Sequence, residues 1–504
     1  MDTIFPWIIL LPLTGAIATF LVPRAWVIRT GMVTALLTSC MVFAAAYFLH
    51  QNGPVHYAVG SWAAPLGIRL YLDGLACVML LLTAVSGIFI SVYACEYFKD
   101  KTSGVLKREG IMFWPLWLFL WGAMNALYVS GDLFNMYVLL ELLGLSAVGL
   151  VALAGTRTVL IAGMRYLIAA MLGSMSYLLG VAFLYAMHSA LDTRMMGALI
   201  EPGMGAAIAF ALMTIGLLLK TALFPLHFWL PPAHAGSSAP VSAILSALVV
   251  KGSFYLLLRL WFDVFHNVVT IPVGQFLGAL GALAVLWGSI QAIRQQRLKM
   301  LVAYSTVAQL GYLFAVFPVT AGAPPTDGVL GQWVIESGKG TLYHALAHAF
   351  SKASIFLAAG IMVHALGTDQ LSRMRGMAER LPLTTFAMAL AGVSLMGLPP
   401  SGGFIGKWLM MHAVLGSGQW WWAVVIMTGS LLTAGYMFMM LRQAFQPCED
   451  PSLFKPVPKT MEWAALILAF ISIGIGIRAA DVLDLLMIGS PFLIEPIAAV
   501  GGAL

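Results

Sequence analysis

Apolar runs of about 20 residues, divided by short polar connections, recur along the whole chain. Cut on that length, the pattern predicts membrane-spanning helices near 4–22, 27–49, 74–94, 111–129, 133–154, 161–187, 205–230, 240–262, 268–292, 300–318, 341–366, 383–415, 419–441 and 460–478. That is fourteen spans. The tail, 479–504, opens with Asp481 and Asp484 and then turns apolar, which fits an interfacial helix or a short extra span.

Composition agrees: 61% of the 504 residues are hydrophobic and 9% charged, against roughly half apolar and a quarter charged in soluble domains. The chain reads as an all-α polytopic membrane protein. Ala16-Ile17-Ala18 imitates a signal-cleavage site, but Asp2 replaces a basic leader and the run stays apolar through Val22, so the first span is expected to be retained. Cys40, Cys77, Cys95 and Cys448 stand singly, without the grouping of a disulfide framework or a metal site.

The net charge of +6 is an orientation signal. Connections after odd-numbered spans hold Arg24, Arg29, Lys99, Lys101, Lys107, Arg108, Arg157, Arg165, Arg294, Arg297, Lys299, Arg373, Arg375, Arg380, Arg442, Lys455 and Lys459; those after even-numbered spans hold only Arg69, Arg194, Lys339 and Arg478. The positive-inside rule makes the odd connections cytoplasmic and, with fourteen spans, puts both termini outside. No nucleic-acid partner is implied.

Lys220, Lys251, Lys352 and Lys407 remain within spans, with Arg259 toward the outer end of the eighth and Glu141 as the one acid deep inside a span. Asp73 and Asp132 begin helices, where capping is their expected role. An ionised group at a helix centre costs roughly 2.5–3.5 kcal/mol, so four lysines and a glutamate cost on the order of 12–18 kcal/mol. Snorkelling relieves that cost only near helix ends. Glu141, Lys251 and Lys352 sit too deep for it, and an ion path explains them. A lysine in a partly hydrated apolar cavity loses its proton more readily, and a nearby carboxylate restores its hold.

The segment "HALAHAFSK" (344–352) sharpens this. His344, His348 and Lys352 recur every four residues, drift by about 40° per step and share one helix face over roughly 12 Å. Neutral histidine both donates and accepts, so a stacked pair with water passes protons between lysines. An i, i+4 histidine pair also suits a metal, but no acid lies near it in sequence and one helix cannot supply both axial ligands of a haem.

Two spans are interrupted beside their lysines. "LLLKTALFPLHFWLPPAHAG" sets Lys220 five residues before Pro225, and "LMGLPPSGGFIGKWLM" sets Pro399, Pro400, Gly402 and Gly403 before Lys407. Proline frees a carbonyl and glycine loosens the turn, so the seventh and twelfth helices are expected to be discontinuous. Such backbone survives at membrane depth only where protein covers it or water reaches it. The breaks lie five helices apart, an odd number, so repeats of helices 4–8 and 9–13 would be inverted relative to each other. The implied division is 1–110 for helices 1–3, 111–262 and 263–445 for the two halves, and 446–504 for helix 14 and the tail.

"DLFNMYVLLELLGLSAVGLVAL" (132–153), "KTALFPLHFWLPPAHAGSSAPVSAILSALVVKGSFYLLLRL" (220–260), "LVAYSTVAQLGY" (301–312), "HALAHAFSKASIFLAAG" (344–360) and "GLPPSGGFIGK" (397–407) together resemble the antiporter-like subunits shared by Mrp cation/proton antiporters, respiratory complex I and membrane-bound hydrogenases. The resemblance spans roughly 60–445, and "GSWAAPLGIRLYLDGLA" (60–76) looks most like the Mrp D type. It implies two inverted five-helix half-channels joined by a central hydrophilic axis. Glu141 matches the family's fifth-helix glutamate, and Lys220 and Lys251 its seventh- and eighth-helix lysines. His344, His348 and Lys352 match the linking eleventh helix, and Lys407 the exit lysine of the twelfth. Arg297 and Met300 depart from the acid and Lys-Arg usual in the loop before "LVAY".

The expected function is proton translocation within a multi-subunit assembly in a bacterial-type inner membrane. An Mrp-type exchange of Na⁺ or another monovalent cation for protons is set beside a pump subunit of a quinone-reducing or hydrogen-evolving redox complex, and beside an inorganic-carbon uptake system. Other membrane subunits are the expected partners. No cofactor is expected in this chain: it has no cysteine cluster and no GxGxxG, and "ESGKGT" (336–341) lacks the spacing of a phosphate loop.

Overall fold

The computed structural model describes residues 5–100, 104–322, 329–447 and 454–492. Asp2, Lys101, Cys448 and the end of the tail, 493–504, lie outside the described residues. Long apolar runs with few breakers give helices: α1 Phe5–Leu21, α2 Arg24–Asn52, α3 Gly74–Tyr97, α4 Arg108–Val129, α5 Leu133–Ala152 and α6 Arg157–His188. The interrupted stretch that follows gives α7 Met204–Thr221 and α8 Leu230–Gly236. Then come α9 Ala239–Val264, α10 Ile271–Ile293, α11 Leu298–Thr320, α12 Val329–Leu366, α13 Pro382–Met396, α14 Gly402–Gly416, α15 Trp420–Ala444, α16 Lys459–Ile477 and α17 Ala479–Met487. Among the described residues, twelve helices are long and apolar enough to cross a membrane, counting α7 and α8 as one; α1 and α13 are shorter apolar helices.

Both expected interruptions are present. α7 stops at Ala222, which takes a left-handed φ of 58°, and a 3₁₀ turn over Leu226–Trp229 leads into α8. α13 stops at Gly397 with φ 82°, a conformation that costs glycine little. α14 restarts under Ser401, whose side chain accepts from the Phe404 amide. Each interruption contains a cis X-Pro bond, Phe224–Pro225 and Pro399–Pro400.

Burial separates a central core from a periphery. The most apolar stretch of α9 is 100% buried, that of α12 94% and that of α11 89%, against 33% for α15. α2, α6, α10 and α15 present large apolar side chains outward, among them Tyr47, Leu172, Phe276 and Leu431, the surface expected toward lipid or neighbouring subunits. The helices carrying Lys251 and the 344–352 stripe are therefore the ones most shielded from both. Two π turns, Leu245–Val249 and Leu260–Val264, interrupt α9 on either side of Lys251; π turns are rare and recur at functional positions.

Asp73 and Asp132 cap α3 and α5, accepting from the amides of Ala76 and Asn135. Asp73 does more: its carboxylate lies 2.6 Å from the Arg259 guanidinium, which also meets Asp263 at 3.1 Å. A strand pair, Val55–Ala58 with Arg69–Leu72, lies beside this cluster, and Arg69 pairs with Asp192 at 2.8 Å. α17 is nine residues long, an appended helix and not a further span; Gly74 donates to Ile488 just beyond it.

One expectation from the charge pattern is corrected. Lys299, counted in a connection, lies in the first turn of α11, 7% exposed, and donates to the Ser237 carbonyl at 2.6 Å. Glu462, in the first turn of α16, is likewise fully buried, taking hydrogen bonds from Thr384 at 2.9 Å and Lys459 at 2.8 Å. Neighbouring helices cover both positions, which linear distance to a helix end does not reveal.

Candidate functional site

The buried lysines fall into one polar row through the core. Lys220, in the last turn of α7, donates to the Leu140 carbonyl at 3.1 Å, one residue from Glu141 on α5. Leu143, Gly144, Tyr166, Ala170, Val249 and Ser253 complete its chamber. Glu141 is half-buried and has no ion pair within 4 Å among the described residues. The pair is thus near but open.

Thr221 donates to Ser253 at 3.0 Å, joining α7 to α9 two residues past Lys251. Lys251 is fully buried and donates to the Ser246 carbonyl within the π turn. The Ser246 hydroxyl in turn lies 2.9 Å from Thr306 on α11, next to Ser305.

The 344–352 stripe behaves as helical spacing demands. His344 and His348 are both 1% exposed, with ring centroids 6.2 Å apart and planes inclined by 17°. Lys352 donates to the Val302 carbonyl at 3.0 Å and to the Ser305 hydroxyl, both on α11. Further along α11, Gln309 lies 3.1 Å from Thr433 and 3.2 Å from the Tyr436 hydroxyl, while its carbonyl meets His344 Nε2 at 3.3 Å. Tyr312 and His344 meet edge to face at 5.3 Å, and the Lys407 ammonium lies over the Tyr312 ring, 4.4 Å from its centre. Lys407 donates to the Leu395 and Met396 carbonyls at 2.9 and 3.3 Å and to Ser430 at 3.0 Å. Those carbonyls end α13, so the helix break itself supplies the acceptors.

Several buried atoms of this row have no protein partner: both ring nitrogens of His348, His344 Nδ1, the Gln309 side-chain oxygen and the Tyr312 hydroxyl. Burying such groups unpaired is costly, and each is a position for bridging water. Among the described residues, no three His, Cys, Asp or Glu side chains converge as metal ligands.

All seven ionisable residues singled out from sequence lie on this row, with Pro225, Pro399 and Pro400 in the interruptions beside it. Sequence reasoning missed Gln309, Tyr312, Ser305, Thr433 and Tyr436. It also missed His234, fully buried, stacked at 4.7 Å on Phe356 and unpaired at both nitrogens. The available signal was polarity within the apolar segments "PPAHAGSS" and "VAQLGY". Lys299, Ser237 and Ser242 lie around His234: both serine hydroxyls approach its carbonyl, at 3.5 and 3.0 Å. Lys299 and Ser237 also line a cavity of about 380 Å³ shared with Lys107, Glu109 and His364.

Residues 130–433 match the family model described as NADH:quinone oxidoreductase/Mrp antiporter, TM. The N subunit of the NADH-quinone oxidoreductase of Desulforudis audaxviator is 35% identical over 487 residues, covering 93% of this chain and 94% of the relative. The D-type Na(+)/H(+) antiporter protein of Bacillus subtilis is 27% identical over 93% of this chain and 92% of the relative. A chain in the structure of the Mrp complex from Dietzia sp. superposes with a TM-score of 0.85 at 22% identity, covering 99% of this chain and 98% of that one.

Proposed function

The chain belongs to the NADH:quinone oxidoreductase/Mrp antiporter transmembrane family, and on that premise we propose that it is the proton-translocating, antiporter-like subunit of a multi-subunit inner-membrane complex. One observation carries the reading: Lys220, Lys251, Lys352 and Lys407 are all buried, with hydroxyl, imidazole and amide side chains placed between them on the most buried helices. In the proposed arrangement fourteen spans place both termini on the outer side, and residues 111–262 and 263–445 form two inverted five-helix halves.

Glu141 and Lys220 act as the loading pair. Bringing a carboxylate to 4 Å from an ammonium is worth about 4 kcal/mol at an effective dielectric constant near 20, enough to decide whether the lysine keeps its proton. Lys251 passes the proton to Lys352 and the stacked histidines. Lys407 releases it, held by carbonyls and a serine that form no fixed ion pair. The cavity beside Lys299 and Ser237 supports a cytoplasmic water route to His234 and the centre of the row.

The motif around residues 60–76 supported an Mrp D-type parent. Identity of 35% with an N-type relative against 27% with a D-type one, over comparable lengths, favours a quinone-reducing redox assembly, with electron chemistry in partner subunits. Monovalent-cation exchange remains the competing proposal. Purifying the complex from native membrane and identifying its subunits by mass spectrometry separates the two: iron–sulfur and flavin subunits support the redox parent, whereas a longer antiporter-like homologue without them supports the exchanger. Glu141→Ala is expected to abolish proton transport in inverted vesicles while the complex assembles. Wild-type dye quenching there would remove Glu141 from the path.

A further inference from the structure

α16 lies beyond both proposed halves, yet its last turns are built into the second break. Ser472 is fully buried, and its hydroxyl lies 2.8 Å from Ser351 Oγ on α12, 2.7 Å from Ser394 Oγ on α13 and 3.2 Å from the Ala347 carbonyl. A hydroxyl has one hydrogen and two lone pairs. Its single hydrogen serves either Ser394 or Ala347 while a lone pair accepts from Ser351, so the two donations exclude each other.

What it joins is specific. Ser351 immediately precedes Lys352, Ala347 immediately precedes His348, and Ser394 immediately precedes Leu395, whose carbonyl receives the Lys407 ammonium at 2.9 Å. Four residues on, Gly476 rests against the break: a Cβ there would stand 2.1 Å from the Pro400 carbonyl oxygen and 2.6 Å from the Gly402 nitrogen. Only glycine allows that approach. Between them, the Ile475 carbonyl accepts from the Tyr343 hydroxyl, so α12, α13 and the start of α14 all seat on one end of α16.

We propose that Ser472 is a positioning residue of proton transfer, coupling the helix that carries His348 and Lys352 to the broken helix whose carbonyls hold Lys407. This link runs apart from the Gln309–His344–Tyr312 row. When the hydroxyl turns, it changes the hydrogen bonding of the α13 end relative to α12, and so the acceptors offered to Lys407. The inference rests on proton translocation as the function proposed for the row.

The test uses the intact complex in inverted vesicles, with rates measured across pH. Ser472→Ala is expected to slow transport about five- to tenfold, the size of losing one buried hydrogen bond, and to displace the midpoint of the pH profile by about 0.7 unit, the logarithm of fivefold. Ser472→Thr, which keeps the hydroxyl, is expected to restore most of the rate and the midpoint. Ser394→Ala added to Ser472→Ala is expected to cost less than the product of the two separate losses, because both remove the same link. Slowing with an unchanged pH midpoint and multiplicative losses overturns the proposal, since that is the behaviour of a structural contact. Lys407→Ala serves as the control. If it abolishes transport while Ser472→Ala matches wild type, only the positioning inference falls; if it transports normally, the proton-path reading falls.

Discussion

The lysines at the two interrupted helices are held by opposite means. Lys220 sits before its break, on one mid-helix carbonyl from α5, with Glu141 close by and unpaired. Lys407 sits after its break and reaches back across it to two helix-end carbonyls and a serine, over a tyrosine face. The interruption serves Lys220 by ending its helix at the chamber, and serves Lys407 by freeing its acceptors. A carboxylate brings a full charge to the lysine, whereas helix-end carbonyls and a hydroxyl offer only dipoles. On the proposed reading, the first half varies its hold on a proton through a charge and the second through hydrogen-bond geometry alone.

If that contrast governs transport, Lys407→Ala has the largest effect of the changes outside the Glu141 pair. It is expected to reduce proton transport at least about 100-fold, as the removal of an essential proton-transfer group does, with the complex still assembling on a blue native gel. Retained transport would mean that the second break is not on the path. Lys251→Ala comes next, at about tenfold or more on the same scale, because Thr221 and Ser253 still join the chambers but carry no titrating group between Lys220 and Lys352. An unchanged rate would show that the two halves communicate without α9.

Ser430→Ala probes this uncharged hold directly. One of three acceptors is lost, so a fall of about three- to tenfold is expected, and no partner in the first half has an equivalent. Abolished transport would show that losing Ser430 costs as much as is proposed for losing the Glu141 charge, and would erase the contrast. The smallest effect belongs to Asp132. Its carboxyl is pushed above the usual carboxylate range by burial, and Asp192 adds to the rise, yet its hydrogen bond is a helix cap. Asp132→Asn is expected to leave transport and thermal stability unchanged, and Asp132→Ala to cost about 1 kcal/mol of stability, read as a lower melting temperature of the purified complex. A transport defect in the asparagine variant would give Asp132 a role beyond capping.

Much of the site was legible because ionisable residues in apolar helices are conspicuous. Glu141 and the four lysines stood out by their cost, and the 344–352 stripe by spacing alone, since four residues nearly complete a helical turn. His234 and Gln309 lay within the family's motifs but signalled less, because a single neutral polar residue in a span is compatible with ordinary packing. Arg259 was visible and its partner was not: Asp73 is 186 residues away, and its capping role already explained it. Lys299 was counted in a connection from its place along the chain, a measure blind to helices packed alongside.

By itself the sequence determined that the chain spans a membrane repeatedly, where two helices break, and which charges lie at depth, because hydrophobic length, proline and helical period act locally. Tertiary structure decided which carbonyl or hydroxyl each buried lysine uses, that Glu141 stands open beside Lys220, and that α16 closes on the break at Pro400. Those choices depend on which distant helix faces arrive together, and no periodicity along the chain encodes them.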